Sequence, residues 1–346
     1  MPERSHRTLV KRWGGRAVGL TITAVGLYVV APSLITMFAS WPQLATVDVP
    51  WFFVLAALQA GRLVSLWWLT KLAMRPGRHE PHDAPRLGWR ATATAQLAGS
   101  AAAKILPGGG ATGGVIQAKI LIDDGQPPKA VASGLGAIAL LNNAVLFLLP
   151  ILTIPALLIG PPPAEQLQLG LLVSVVLAAV IVTIGVTVLT WPRVLDVAGR
   201  GIGSVVHLMR RTVTPAGVSG GLLAQRERIA DAFHGRWWRS VFAMAASRMF
   251  DYASLVAALV AFGVHARPSE VLLAFVVSQA LAIVPITPGG VGFVDVGLTG
   301  MLALIGVPTE TAIIATLLYR LFSFWLPIPL GAFAWAGWRI RRRGAG

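Results

Sequence analysis

Long apolar runs alternate with short polar segments along most of this chain of 346 residues. Six of the runs are longer than the roughly 20 residues that an α-helix needs to cross the hydrocarbon core of a bilayer. These runs are 17–39, 51–72, 130–154, 167–190, 240–262 and 312–337. The pattern predicts an all-α polytopic membrane protein with six full spans.

Two further stretches, 91–122 and 271–305, are interrupted by proline and glycine. Proline removes a backbone donor and glycine frees the backbone, so a helix that reaches such a break should stop and turn. The first break contains Pro107, Gly108 and Gly109, and the second contains Pro288, Gly289 and Gly290. We therefore predict two re-entrant hairpins made of broken helices. The second stretch is apolar enough that a full crossing and return is an alternative.

The same pattern of glycine and proline follows each of the two breaks, and the two copies are 181 residues apart. Gly125 follows Pro107 by eighteen residues, as Gly306 follows Pro288, and a proline comes two residues after each of these glycines. This spacing predicts an internal duplication. The first repeat covers 1–166 and the second covers 167–346.

Clusters of lysine and arginine give the predicted orientation. They lie at the N-terminus, after span 51–72, in the segment 191–239 and at the C-terminus. Cytoplasmic loops carry an excess of these residues, so both termini are predicted to be cytoplasmic. The first hairpin then enters from the cytoplasm and the second from outside. Three spans and one hairpin, repeated upside down, form the inverted-repeat plan of transporters, in which broken helices meet near the midplane.

The segment 191–239 contains apolar residues at helical spacing opposite charged ones. This pattern is typical of an amphipathic helix that lies in the headgroup plane. We interpret it as a surface linker between the two halves. A regulatory or partner-binding role is the alternative.

Composition agrees with a membrane protein, since 55% of residues are hydrophobic, only 12% are charged and the mean hydropathy is +0.70. Soluble domains carry about a quarter charged residues. The net charge of +15 lies mostly in clusters beside apolar runs, so we do not expect nucleic-acid binding. The chain has no cysteine, and no nucleophile–base pair or metal-ligand set stands out. An enzyme, a cofactor and a metal site are therefore not expected.

Four cations are predicted to lie at membrane depth: Arg62, Lys104, Arg248 and Arg320. Each costs about 2.5–3.5 kcal/mol at a span centre, so together they cost about 10 kcal/mol, which is too much to be incidental. The available carboxylates are Asp251 and Asp295, and we expect Asp251 to pair with Arg248 three residues earlier. An excess of about two positive charges then remains, which a bound phosphate would neutralise.

Each candidate also has a structural reading. The cations could snorkel or bridge helices, and Asn142 and Asn143 are more typical of helix packing than of ligand binding. Asp295 could couple transport to protons, or it could cap a helix and pair with a cation; Asp251 is the other coupling candidate. The residues of both breaks, Pro107 to Gly109 and Pro288 to Gly290, are further candidates for the binding site, because the backbone amides of their glycines could hold a phosphate at a helix start.

The second half of the chain resembles a known family through three motifs. They are Pro288-Gly289-Gly290-Val291-Gly292 with Asp295 three residues on, then Gly306-Val307-Pro308, then Leu318-Tyr319-Arg320. These are similar to the flippase-like transmembrane family typified by the membrane region of lysylphosphatidylglycerol synthases. Members of that family usually carry Glu at the position of Asp295, and charged residues where this chain has Ala111 to Gly114.

The resemblance implies translocation of phosphate-bearing lipids between leaflets of the bacterial inner membrane. The phosphate would lie among the four cations between the two broken hairpins. Anionic phospholipid, polyprenyl phosphate and glycolipid all fit as substrates. Aminoacylation is not expected, because the sequence ends shortly after its last predicted span. The rival hypothesis is an accessory subunit that recruits a lipid or glycan biosynthetic enzyme through 191–239.

Overall fold

The computed structural model describes residues 47–75, 87–106, 109–148, 237–282, 290 and 292–343, with the single residues 183, 193, 196, 197, 200 and 220. The predicted span 17–39, all of the predicted span 167–190 except Thr183, and most of the segment 191–239 lie outside these residues. Within the described ranges every regular element is a helix. The all-helical class predicted from the apolar runs is confirmed there.

Nine α-helices and one π-helical turn make up the described part of the chain. They are α1 Val49–Ala73, α2 Trp89–Ile105, α3 Gly110–Asp123, α4 Pro128–Leu148, α5 Trp237–Val260, α6 Pro268–Leu281, α7 Phe293–Leu304, α8 Thr309–Arg320, the π-helical turn Leu321–Trp325 and α9 Pro327–Arg343. Among the described residues, three continuous segments are long and apolar enough to cross a membrane: Val49–Ala73, Trp237–Val260 and Thr309–Arg343. They match the predicted spans 51–72, 240–262 and 312–337.

Both predicted hairpins are pairs of short helices. The arms have 17 and 14 residues in α2 and α3, and 14 and 12 residues in α6 and α7. At about 1.5 Å per residue, the arms measure about 18 to 26 Å, which is shorter than the roughly 30 Å hydrocarbon core. The first helix ends at Ile105, two residues before Pro107, as the break predicted. Helix α6 ends at Leu281, seven residues before Pro288, so the second helix ends earlier than predicted.

Glycines hold the arms of the first hairpin close together. A Cβ atom on Gly113 would lie 2.5 Å from the carbonyl oxygen of Gly99 and 2.7 Å from Cβ of Ala103. On the other side of α2, Gly331 of α9 packs against Leu97 and Ala101. Small residues of this kind let helix backbones approach closely inside a membrane. Helix α2 is therefore packed closely between α3 on one side and α9 on the other. We call this arrangement the glycine clamp.

The turns that follow the two hairpins have equivalent backbones. Gly125 and Gly306 adopt φ angles of 92° and 90°. Gln126 N donates to Leu121 O at 3.1 Å, and Val307 N donates to Leu302 O at 3.1 Å. These glycine-terminated helix ends are related by the same 181 positions that separate the sequence motifs. The duplication itself stays a prediction.

Helix α5 lies at the centre of the described bundle. In its most apolar 18-residue window 56% of residues are buried, against 22% for α1. It shares a core with α1, α6 and α8 that includes Leu55, Leu255, Phe275 and Leu318. Any polar group on the inward face of α5 is therefore enclosed by other helices.

The glycine clamp yields a stability prediction. Gly113→Ala should lower the melting temperature of the purified protein by several degrees, because the new methyl group meets α2 and overpacking costs about 1–3 kcal/mol. Thermal unfolding in detergent measures the shift.

Gly114→Ala is the matched control, because a Cβ at Gly114 meets nothing within 4 Å. Its melting temperature should equal or slightly exceed that of the wild type, since alanine favours a helix over glycine. Equal melting temperatures for the two variants would contradict the clamp.

Candidate functional site

The buried carboxylate of Asp251 connects four helices. Its side chain on α5 is almost fully enclosed, with the residue 2% exposed. Three neutral donors contact it: Gln59 Nε2 at 3.2 Å, Tyr319 Oη at 3.1 Å and Gln279 Nε2 at 3.2 Å. Arg62 Nε lies 3.6 Å from Asp251 Oδ2. Groups from α1, α6 and α8 thus converge on one carboxylate of α5.

Gln59 links the arginine and the aspartate of this centre. Its Oε1 accepts from Arg62 Nη1 at 3.2 Å while its Nε2 donates to Asp251. Gln59 and Arg62 are both on α1, three positions apart, so they share a helix face. An amide that donates to an anion and accepts from a cation fixes the geometry of the pair.

The expected direct pair between Arg248 and Asp251 is wrong. Arg248 Nη2 donates to Asn142 Oδ1 of α4 at 2.7 Å, while the ion pair of Asp251 is with Arg62. The spacing of three residues does place both side chains on one face of α5, but donors from α1, α6 and α8 already contact the carboxylate oxygens. Asn142 bridges two helices, as predicted for helix packing. Arg248 Nε is buried and has no hydrogen-bond partner within the described structure.

Arg320 and Asp295 form the second charged pair. Arg320 Nε contacts Asp295 Oδ1 across α8 and α7. Asp295 Oδ2 also accepts from the backbone N–H of Gly292 at 2.9 Å, which caps the start of α7. Asp295 thus makes the cap and the cation pair that one of its two readings predicted. Proton coupling by Asp295 stays a prediction. Arg320 Nη2 is buried and lacks a hydrogen-bond partner among the residues described here.

Lys104 supplies a hydrogen-bond donor to backbone carbonyls in the last helical segment. Its Nζ donates to the carbonyl oxygens of Ser323 at 2.7 Å and Phe324 at 3.1 Å. Pro327 has no N–H, so the carbonyl of Ser323, four residues earlier, lacks its helical donor. The π-helical turn before it is marked by Leu326 N donating to Leu321 O at 2.9 Å. Lys104 therefore joins the end of α2 to the π-helical turn between α8 and α9.

The four predicted cations are linked to one another through long-range electrostatic interactions. Lys104 interacts with Arg62, Arg320 and Asp251, and Arg248 interacts with Arg62 and Asp251. Four cations minus the two carboxylates Asp251 and Asp295 leave an excess of two positive charges in this cluster. The structure thus brings together residues that are as far apart in the sequence as Arg62 and Arg320. We call these six charged residues the central cluster.

The break residues are only partly described. Gly109 and Gly290 have positive φ angles of 52° and 72°, a conformation that glycine adopts freely. Pro107, Gly108, Pro288 and Gly289 lie outside the described residues. A role for these six positions in phosphate binding stays a prediction.

Three uncharged residues of the site were not among our sequence candidates: Gln59, Gln279 and Tyr319. The signal for them exists in the sequence, because glutamine inside an apolar helix usually hydrogen-bonds across helices. Gln59 also shares a face with Arg62, and Tyr319 precedes Arg320 in the family-like motif. The sequence candidates beside them, Arg62, Asp251 and Arg320, were selected because they are charged residues in apolar segments.

The Arg62–Asp251 pair yields a stability prediction. Asp251→Asn should destabilise the protein strongly, because removing one partner of a buried ion pair costs up to about 3–5 kcal/mol. The cost is moderated here because the Arg62 side chain is 23% exposed. Thermal unfolding of both single variants and of Arg62→Gln/Asp251→Asn forms a double-mutant cycle.

The double variant should lose less stability than the two single variants together, since no buried charge is left without its partner. Strictly additive losses would show that the pair contributes no coupling.

Comparison with known proteins agrees with this architecture. The family model described as the lysylphosphatidylglycerol synthase TM region matches residues 16–331. A "UPF0104 membrane protein" of Methanothermobacter thermautotrophicus is 33% identical over 86 residues, which cover 25% of this chain and 26% of that protein. A second "UPF0104 membrane protein", from Pyrococcus horikoshii, is 39% identical over 62 residues, 18% of each chain. The similarity covers about a quarter of the length of the first relative and less than a fifth of the second. The family match extends over most of the sequence, and the chain therefore belongs to the family of lysylphosphatidylglycerol synthase transmembrane regions.

Proposed function

We propose that this protein translocates a phosphate-bearing lipid between the leaflets of a bacterial inner membrane. The headgroup phosphate binds at the central cluster while the acyl or prenyl chains stay in the surrounding lipid. Anionic phospholipids, polyprenyl phosphates and glycolipids that carry a phosphate are the candidate substrates. The protein has no catalytic role in this proposal; it lowers the barrier that the charged headgroup meets in the hydrocarbon core.

One observation carries the proposal: buried guanidinium nitrogens without acceptors sit in a cluster with excess positive charge. Arg248 Nε and Arg320 Nη2 are both buried, and neither has a hydrogen-bond partner in the described part of the chain. Leaving a buried donor unsatisfied costs about 1–3 kcal/mol, and more for a charged group. A phosphate supplies anionic oxygens to such donors and forms the strong, charge-assisted hydrogen bonds that arginine favours.

The charge excess also suits a phosphate. The central cluster has four cations against two carboxylates, and a phosphate monoester carries about −1.5 to −2 at pH 7. A phosphodiester carries one negative charge. It would leave one positive charge for a second acidic or polar group of the same headgroup. Cations at membrane depth are costly unless they are paired or face a polar cavity. Binding of the lipid would thus reduce the electrostatic cost of the cluster.

The ion pair between Arg320 and Asp295 is the contact that a phosphate would exchange. It joins α8 to α7, the returning arm of the second hairpin, and the Arg320 side chain is only 12% exposed. An arriving phosphate competes with Asp295 for the guanidinium and loosens the second hairpin from the last helix. In the predicted inverted arrangement, movement of the second hairpin relative to the rest of the bundle then alternates access to the two leaflets. Asp251 and Asp295 are the candidate residues for coupling this motion to protons.

Transport by purified protein tests the proposal. Arg320→Gln and Arg62→Gln should each reduce translocation of a fluorescent anionic phospholipid in proteoliposomes at least tenfold, because each removes a phosphate-binding cation. Chemical reduction of the fluorophore in the outer leaflet measures the rate. The wild-type protein should translocate phosphatidylglycerol faster than phosphatidylcholine.

Arg341→Gln is the charge-matched control, since Arg341 is exposed at the end of α9 and outside the central cluster. Arg320→Gln/Asp295→Asn removes both charges of the pair, so it separates lost transport from lost folding. Normal transport by this folded double variant would contradict the phosphate site. Absence of transport by the wild-type protein would favour the accessory role instead.

A further inference from the structure

An amphipathic groove lies apart from the central cluster, between α3 and the last part of α9. It has a volume of about 580 Å³. Its polar lining consists of Lys119, Asp123, Arg339, Arg342 and Arg343, and its aromatic lining of Trp335 and Trp338. Arg339 is nineteen residues beyond Arg320 in the sequence, which corresponds to about 28 Å along a helix. The groove is therefore a separate site.

An ion pair braces the two walls of the groove. Arg342 Nη1 lies 2.7 Å from Asp123 Oδ2, and its Nη2 donates to the backbone oxygen of Asp123 at 2.7 Å. This contact fixes the C-terminal end of α9 against the end of α3. The carboxylate of the groove is thereby used by one of its four cations.

The three other cations have no carboxylate within 4 Å among the described residues. They are Lys119 on α3, and Arg339 and Arg343 on α9. Together they give the groove an excess of three positive charges, drawn from two helices. Cations gathered on facing walls of a groove present several donors to one anion, whereas the cations of a solvated helix end point apart.

The rest of the lining is apolar and aromatic. Ile116 and Ile120 belong to the α3 wall. The guanidinium of Arg339 lies 5.1 Å from the ring centre of Trp335, and that of Arg342 lies 5.7 Å from the ring of Trp338. Tryptophan is enriched at the boundary between lipid and water. A cationic end beside an apolar and aromatic wall matches an amphiphile better than a free anion.

We propose that this groove is a second lipid site, which holds the headgroup phosphate of an anionic phospholipid in the cytoplasmic leaflet. The positive-inside rule assigns the basic end of α9 to that side. The phosphate contacts Lys119 from one wall and Arg339 and Arg343 from the other, and the adjoining lipid backbone lies on the isoleucines and tryptophans. The lipid stays bound there and strengthens the contact between the first hairpin and the last helix. This site does not depend on translocation at the central cluster.

Native mass spectrometry of the full chain in detergent tests this site with phosphatidylglycerol as the probe. Arg339→Gln/Arg343→Gln should lose one bound phosphatidylglycerol, or bind it at least fivefold more weakly than the wild type. Phosphatidylglycerol should also raise the melting temperature of the wild type more than that of this variant, since a ligand that binds the folded state stabilises it. Phosphatidylcholine should have little effect on either protein.

Arg75→Gln/Arg341→Gln is the matched control. It removes two exposed cations from helix ends that are predicted to face the cytoplasm, and neither residue lines the groove. An equal loss of phosphatidylglycerol in this control would overturn the site, because the binding would then reflect overall charge. Equal binding of phosphatidylcholine by the wild type would overturn it as well.

Two further measurements distinguish a lipid from free phosphate, and the groove from the central cluster. Inorganic phosphate that stabilised the wild type as much as phosphatidylglycerol at equal concentration would overturn the assignment to a lipid. Arg320→Gln/Asp295→Asn should retain the groove-bound phosphatidylglycerol while losing transport. Loss of that lipid in this variant would place the binding at the central cluster and overturn the second site.

Discussion

The burial of one carboxylate constrains the rest of the described structure. Asp251 lies on the most enclosed helix, where an ionised group is tolerable only if its oxygens are well supplied with donors. Gln59, Gln279, Tyr319 and Arg62 supply them from three different helices. None of these helices can shift far without leaving the carboxylate short of a partner. The packing of α1, α6 and α8 around α5 is thus fixed by polar contacts as well as by the apolar core.

The cations around that carboxylate have a different character. Each of the four has at least one contact with the protein, yet Arg248 and Arg320 keep buried N–H groups without acceptors in the described structure. The interior therefore combines a fully supplied anion with incompletely supplied cations. Such an asymmetry leaves a preference for a visiting anion, which is the chemical basis of the proposed lipid transport. The family membership, shown over residues 16–331, agrees with a role in lipid-related membrane function.

Sequence patterns predicted the helices and breaks of the described part well, because runs of apolar residues and Pro-Gly interruptions act locally. Span 51–72 became Val49–Ala73, and the first break fell between Ile105 and Gly110. Partners within the site were harder to predict. Spacing along α5 suggested Arg248 for Asp251, whereas the observed partner, Arg62, is 189 positions away and depends on how α1 packs. Gln59 and Gln279 carry no charge, so only the folded structure identifies them as donors. The membrane orientation of the two repeats and the role of the Pro-Gly residues stay predictions.

The bond from Lys104 to the π-helical turn has a mechanical consequence. The carbonyl of Ser323 has no helical N–H available because Pro327 occupies the donor position, and Lys104 is the group that donates to it. Pulling the first hairpin away would uncover a carbonyl in a region poor in water, so the hairpin and the final helix should travel as a single rigid unit. For the proposed transport, the moving surface is then expected on the opposite flank, where α7 meets α8. The described contacts there include the Arg320–Asp295 ion pair, which a passing phosphate can replace, and the hydrogen bond from Thr299 to Thr316.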